Sequence, residues 1–72
     1  MDYVVYSNKL LEYRTKCNIS QKELADAVGT CRTTIVNIEK GTQEPRIQTA
    51  YRIAAYFRVA VTVIFPFHQN IH

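Results

Sequence analysis

The sequence predicts an all-α fold, a single small domain of short helices, and three observations predict it. The stretch "ISQKEL" carries a full set of helix-start signals. Glycines stand at positions 29 and 41, each just after a segment whose apolar residues recur at helical spacing. A third segment of this kind follows Pro45.

Seventy-two residues suit one domain, residues 1–72. A chain of this length buries only about 60% of its unfolded surface, so its stability is modest. The hydrophobic share of 47% suits a globular chain. No run approaches the ~20 apolar residues that a membrane span needs. The opening "MDYVVYSNK" has an acid at position 2 and is no signal peptide, so the expected compartment is the cytoplasm. Cys17 and Cys31 lack CxxC spacing and a histidine at ligand spacing, so they read as reduced thiols. His68 and His72 have no acidic cluster beside them. Neither a metal, a cofactor nor a small-molecule ligand is implied.

In chain order, Tyr3 to Tyr6 are β-branched or aromatic and read as a short strand or extended arm. Ser7 is the expected N-cap of a first helix over residues 8–16, with Leu10, Tyr13, Arg14 and Cys17 as its inward stripe. Asn18 tolerates a positive φ and suits the helix end. The second helix starts at Gln21. Ser20 and Glu23 form an S-x-x-E capping box, and Ile19 and Leu24 the hydrophobic staple across it. Leu24, Ala25 and Val28 face inward, and Gly29 stops the helix.

A third helix restarts at once, over residues 32–40, with Ile35 and Ile38 inward and Gly41 at its end. Its N-cap is either Cys31, a poor capping residue, or Thr30. "GTQEP" is a loop, and a fourth helix over residues 47–57 turns Ile47, Ala50, Ile53, Ala54 and Phe57 inward. For "VAVTVIFPF", one helical turn over residues 62–65, stopped by Pro66, fits as well as a strand. The last residues could pair with "YVVY" as a two-stranded ribbon.

Two short helices joined by a tight glycine turn form a helix-turn-helix when they cross steeply. Three positions agree on that crossing, which spans residues 20–41. Ala25 is small at the close approach, Gly29 takes the left-handed turn without steric cost, and Ile35 and Ile38 supply the apolar wedge. An ordinary αα corner would leave the outward face of the third helix unexplained. That face, in "GTCRTTIVN", holds an arginine, threonines and an asparagine. The charge balance points the same way. Nine Lys/Arg against six Asp/Glu give +3, and no acid falls within residues 29–38. Arg32 even opposes the dipole of its own helix, which favours acids in the first turn by about 0.3–1 kcal/mol.

"SQKELADAVGTCRTTIVNIEKGTQEP" resembles the helix-turn-helix of the phage repressor and Cro-type domains, also called the xenobiotic-response-element family. The resemblance covers about residues 7–65 and implies the lambda-repressor-like fold of five short helices. It also implies a homodimer whose third helix, residues 32–40, reads a palindromic double-stranded DNA operator from the major groove as a transcriptional regulator, with repression the expected outcome. By the same resemblance, Cys31, Arg32, Thr33 and Asn37 would contact bases. Gln21 would hold a phosphate, and Thr34, Lys40, Thr42 and Arg46 would lie along the sugar-phosphate backbone. Arg14 and Glu39 would form an internal ion pair between the first and third helices. Short members such as the cytolysin-operon repressors carry a terminal strand pair, which "YVVY" and "FPFHQN" would match.

The chemistry of the residues agrees independently. Arginine bonds the O6 and N7 of guanine with two N–H groups, and asparagine does the same to the N6/N7 edge of adenine. Thr33 offers a hydroxyl, and a methyl suited to that of thymine. The start of the second helix presents free N–H groups to a phosphate. Lys40 serves equally well as a cation at a helix C-terminus. Cys31 would be a redox sensor only with a group to activate its thiol.

The chain departs from the family pattern at Arg46, Arg58, Ala60 and Cys31, where capping residues or a glycine are usual. Its apolar end, with Tyr56, Val59, Val61, Val63, Phe65 and Phe67, exceeds what one small core can hide and reads as a dimer surface. A rival reading takes that end as the docking face of a protein-interaction module or antitoxin-like partner, with DNA binding secondary. An enzyme has no support: no acid pair, nucleophile with a base, phosphate loop or metal set is present.

Overall fold

A computed structural model of the chain describes residues 6–66. It contains five helices: α1 (Leu10–Lys16), α2 (Gln21–Val28), α3 (Arg32–Lys40), α4 (Ile47–Phe57) and α5 (Val61–Ile64). No strand occurs among the described residues. The expected terminal ribbon falls largely outside them, as does Phe67.

The best-defined start is that of α2. The Glu23 N–H donates to Ser20 Oγ at 2.9 Å, and the Ser20 N–H donates back to Glu23 Oε1 at 2.8 Å. Two orphan amides are thus satisfied, for about 1 kcal/mol. Gly29 ends the helix in the left-handed region, φ 77°, which is where a turn this tight needs a glycine. The chain then enters α3 within three residues. Cys31 is its N-cap and provides no side-chain cap, which resolves the choice against Thr30.

α1 starts later than expected. Ser7 is not its cap: the N-cap is Lys9, which makes no side-chain cap bond, and Asn8 just before it satisfies the first helical N–H instead. Asn8 Oδ1 accepts the Leu10 N–H at 2.9 Å, while its Nδ2 donates to the carbonyls of Tyr6 at 2.8 Å and Ile38 at 2.9 Å. An amide can make three bonds in one place, tying the incoming chain to the end of α3, and a hydroxyl cannot. Cys17 lies past the end of α1 and is exposed, so it leaves the inward stripe. Ile47 is also exposed, at 41%. It heads α4, where the side chain points back past the helix start rather than into the core.

The core is one cluster drawn from all five helices. Leu10, Leu24, Ala25, Val28, Ile35, Ile38, Ala50, Ile53, Ile64 and Phe65 are buried together. α2 packs on α3 and α4, α1 on α3, and α5 on α4. The ambiguous segment is therefore helical. The Lys9 N–H donates to the Ile64 carbonyl at 3.0 Å and ties it to the start of α1. Burying Phe65 corrects its expected place on a dimer surface. It is fully enclosed, because α5 is too short to shield the end of the core without it.

Candidate nucleic-acid interface

The outward side of α3 follows from its inward one. Ile35 and Ile38 are fully buried, so the opposite face of this nine-residue helix meets solvent. Arg32 and Thr33 are exposed in its first turn. Neither side chain has a protein partner among the described residues. Asn37, one turn later, is half-buried and donates weakly to Gln43 Oε1 at 3.4 Å. The three side chains with base-reading chemistry therefore share one helix, the first two free and the third loosely held. Cys31 is exposed beside them, its Sγ 3.2 Å from Thr34 Oγ1. The Thr34 hydroxyl, and then the Thr34 backbone N–H, hold its thiol below the usual range.

Glu39 is the one acid on α3, and the fold removes it from that face. Arg14 Nε donates to Glu39 Oε2, and Arg14 Nη2 to Oε1 at 3.2 Å. The two side chains are 14% and 6% exposed. Arg14 Nη1 also donates to the Ile19 carbonyl at 2.9 Å, so one guanidinium joins α1, the α1–α2 loop and α3. Gln21 Nε2 donates to Glu39 Oε1 at 3.0 Å. The expected phosphate ligand is thus partly committed inside the protein, with its second amide hydrogen and its carbonyl oxygen left over.

The remaining backbone candidates divide. Lys40 and Arg46 are exposed, the first in the last turn of α3 and the second at the N-cap of α4. The Thr42 hydroxyl donates to the Asn37 carbonyl at 3.2 Å and helps finish α3, so its proton is already used. Thr34 is half-buried and faces a polar cleft of about 400 Å³. Gly29, Thr30, Gln43, Arg46, Gln48, Thr49 and Arg52 line the rest of it. Sequence reasoning missed Gln43, Gln48, Thr49 and Arg52. The signal was present: Gln48, Thr49 and Arg52 stand at i, i+1 and i+4, a polar stripe on a helix whose other side is Ala50, Ile53 and Ala54.

Tyr56 is 44% exposed and stacks edge-on against Phe57, ring centroids 5.1 Å apart. Val59 and Val61 are half-buried against the core, and Val63 is 39% exposed. This end keeps an apolar surface, narrower than expected because Phe65 is inside.

A capped helix, a left-handed glycine turn and a second helix with an acid-free, exposed polar face define a helix-turn-helix domain. The helix-turn-helix family model matches residues 10–64. The chain belongs to the Cro/C1-type helix-turn-helix family of transcriptional regulators, a family of DNA-binding proteins rather than enzymes. It is 40% identical over 63 residues to an HTH-type transcriptional regulator of Methanocaldococcus jannaschii, covering 88% of this chain and 96% of that one. It is 30% identical to the cryptic phage CTXphi transcriptional repressor RstR of Vibrio cholerae, covering 79% of this chain and 51% of the repressor. The fold superposes on the N-terminal DNA-binding domain of SinR from Bacillus subtilis with a TM-score of 0.71. That match has 26% identity and covers 89% of this chain and 91% of the other. No helix among the described residues is long and apolar enough to cross a membrane.

Proposed function

We propose that this chain binds double-stranded DNA sequence-specifically as a homodimer and represses transcription from a palindromic operator. α3 lies in the major groove and enters by its N-terminal turn. The observation that carries this is the state of α3: Arg32 and Thr33 are exposed without protein partners among the described residues, while Glu39 is buried against Arg14. Arg32 reads guanine, Thr33 and Asn37 read neighbouring bases, and Cys31 sits at the edge of the same face. Lys40, Arg46, Thr34 and the free part of Gln21 hold the backbone. Tyr56, Val59 and Val61 belong to the surface between protomers, which sets the two copies of α3 about 34 Å apart. Such a protein works beside the chromosome, in the cytoplasm.

Selection of random duplexes against the purified chain tests this. A half-site repeated with two-fold symmetry is expected, with sedimentation giving two protomers per duplex. Replacing Arg32→Ala should weaken the selected site by about 1–3 kcal/mol and relax one base pair. Unchanged affinity and preference in that variant would remove α3 from the role given to it. Transcription from a promoter overlapping the selected site should fall as the protein is added.

A further inference from the structure

We propose that the cleft between the α2–α3 turn and α4 seats a phosphate of the DNA backbone, with Arg52 as its main cation. This rests on the reading that the chain binds DNA, and adds a contact from the body of α4, where that reading had placed no DNA contact. The lining supplies two guanidiniums, from Arg46 and Arg52, with hydroxyls and amides from Thr30, Thr34, Gln43, Gln48 and Thr49. It contains no carboxylate. Neither arginine takes part in an ion pair among the described residues. A concave surface with this composition takes an anion, and the planar fork of arginine fits phosphate oxygens two at a time.

The position of Arg52 is the second argument. Its Nη1 lies over the turn, so that a Cβ at residue 29 would stand only 3.2 Å from it, a crowded contact. The missing side chain thus serves twice: it permits the left-handed turn, and it leaves room for a guanidinium over that turn. The third argument is continuity with the base-reading face. Thr34 follows Thr33 on α3, and Gln43 accepts a bond from Asn37. A duplex lying along α3 therefore passes the mouth of the cleft, and the occupant is a backbone phosphodiester rather than a free anion.

The test uses the full chain and its selected duplex. Arg52→Gln should lower affinity about tenfold. It should also reduce the slope of log affinity against log salt by about one, the change expected for one lost phosphate contact. The preferred sequence should not change. Arg52→Lys should recover part of the affinity, and Thr49→Val, from the same wall, should weaken binding with the preference intact. Far-UV circular dichroism checks that each variant is folded. A folded Arg52→Gln chain with unaltered affinity and salt slope would overturn the proposal, and so would an altered base preference. Inorganic phosphate, titrated by amide NMR, separates the two sources of the anion. Saturable binding lost in Arg52→Gln, with the DNA salt slope unchanged, would make this a small-anion site and overturn the assignment. Should the unsubstituted chain select no duplex, the DNA-binding reading fails first and this inference goes with it.

Discussion

Replacing Arg14→Met tests what holds α3 in place. Arg14 makes two hydrogen bonds to Glu39 and one to the Ile19 carbonyl, and Glu39 is only 6% exposed. With Arg14 gone, the carboxylate keeps its bond from the Gln21 amide. Removing one member of a buried pair costs about 3–5 kcal/mol, chiefly because the other charge is left buried. The whole domain has about 4–11 kcal/mol to lose, from ~0.05–0.15 kcal/mol per residue. Urea unfolding followed by circular dichroism should therefore show a much lower midpoint with an unchanged slope. The melting temperature should fall by at least about 12 °C, taking the lower cost and ~4 °C per kcal/mol. The decisive comparison is the double variant Arg14→Met with Glu39→Gln. It should be more stable than Arg14→Met alone, because the orphaned charge is gone. A single variant within about 1 kcal/mol of the unchanged chain would show a solvent-screened pair worth no more than a surface one. A double variant less stable than Arg14→Met would show that lost packing, not the buried charge, sets the cost.

Arg58 closes α4 in the left-handed region, φ 59° and ψ 42°, where a side chain costs about 1 kcal/mol. Arg58→Gly should raise the urea midpoint by the equivalent of about 0.5–1 kcal/mol, and a lower midpoint would refute the strain. Cys31 has its thiol pKa lowered first by the Thr34 hydroxyl and then by the Thr34 backbone N–H. Its alkylation by iodoacetamide, followed by mass spectrometry, should reach half its maximal rate at a lower pH than a small-molecule thiol. Thr34→Val should move it part of the way back. A depressed folded pKa adds stability above the unfolded thiol range, and that stability is lost as pH falls through the lowered value.

The helix-turn-helix was legible because local chemistry and tertiary demand coincide there. Ser20 and Glu23 specify the start of α2, Gly29 and Gly41 specify two ends, and Ile35 and Ile38 specify which side of α3 is inside. The misreadings share a cause: each depends on which other element lies beside the residue. Ser7 and Asn8 are comparable capping residues, and Asn8 is the one used because the Tyr6 and Ile38 carbonyls are within reach of its amide. Phe65 looked like a surface aromatic near the end of the chain, but α5 folds back on α4 and needs it as a plug. Arg52 gave only a weak stripe signal. Its meaning comes from facing a glycine 23 positions away. The Arg14–Glu39 pair came from family resemblance, since no local spacing links two residues 25 apart.

The uneven finish of the two central helices bears on function. α2 begins with a capping box and an acid in its first turn, so its N-terminal dipole is answered from within the chain. α3 begins with Cys31, which caps nothing, and with Arg32, which opposes the dipole. It has no acid in its first turn. Left to its own residues, the start of α3 should fray, and it is kept by the buried pair Ile35 and Ile38 and by the Arg14–Glu39 bridge at its far end. Every feature that weakens this terminus suits a polyanion. An uncapped helix start, the free guanidinium of Arg32 and the neighbouring Arg46–Arg52 cleft put cationic groups where the phosphates of the proposed duplex would stand. In the proposed complex, the duplex would supply to α3 the stabilisation that α2 draws from Ser20 and Glu23. Arg32 is tolerated at this terminus because the other end of the helix is fastened.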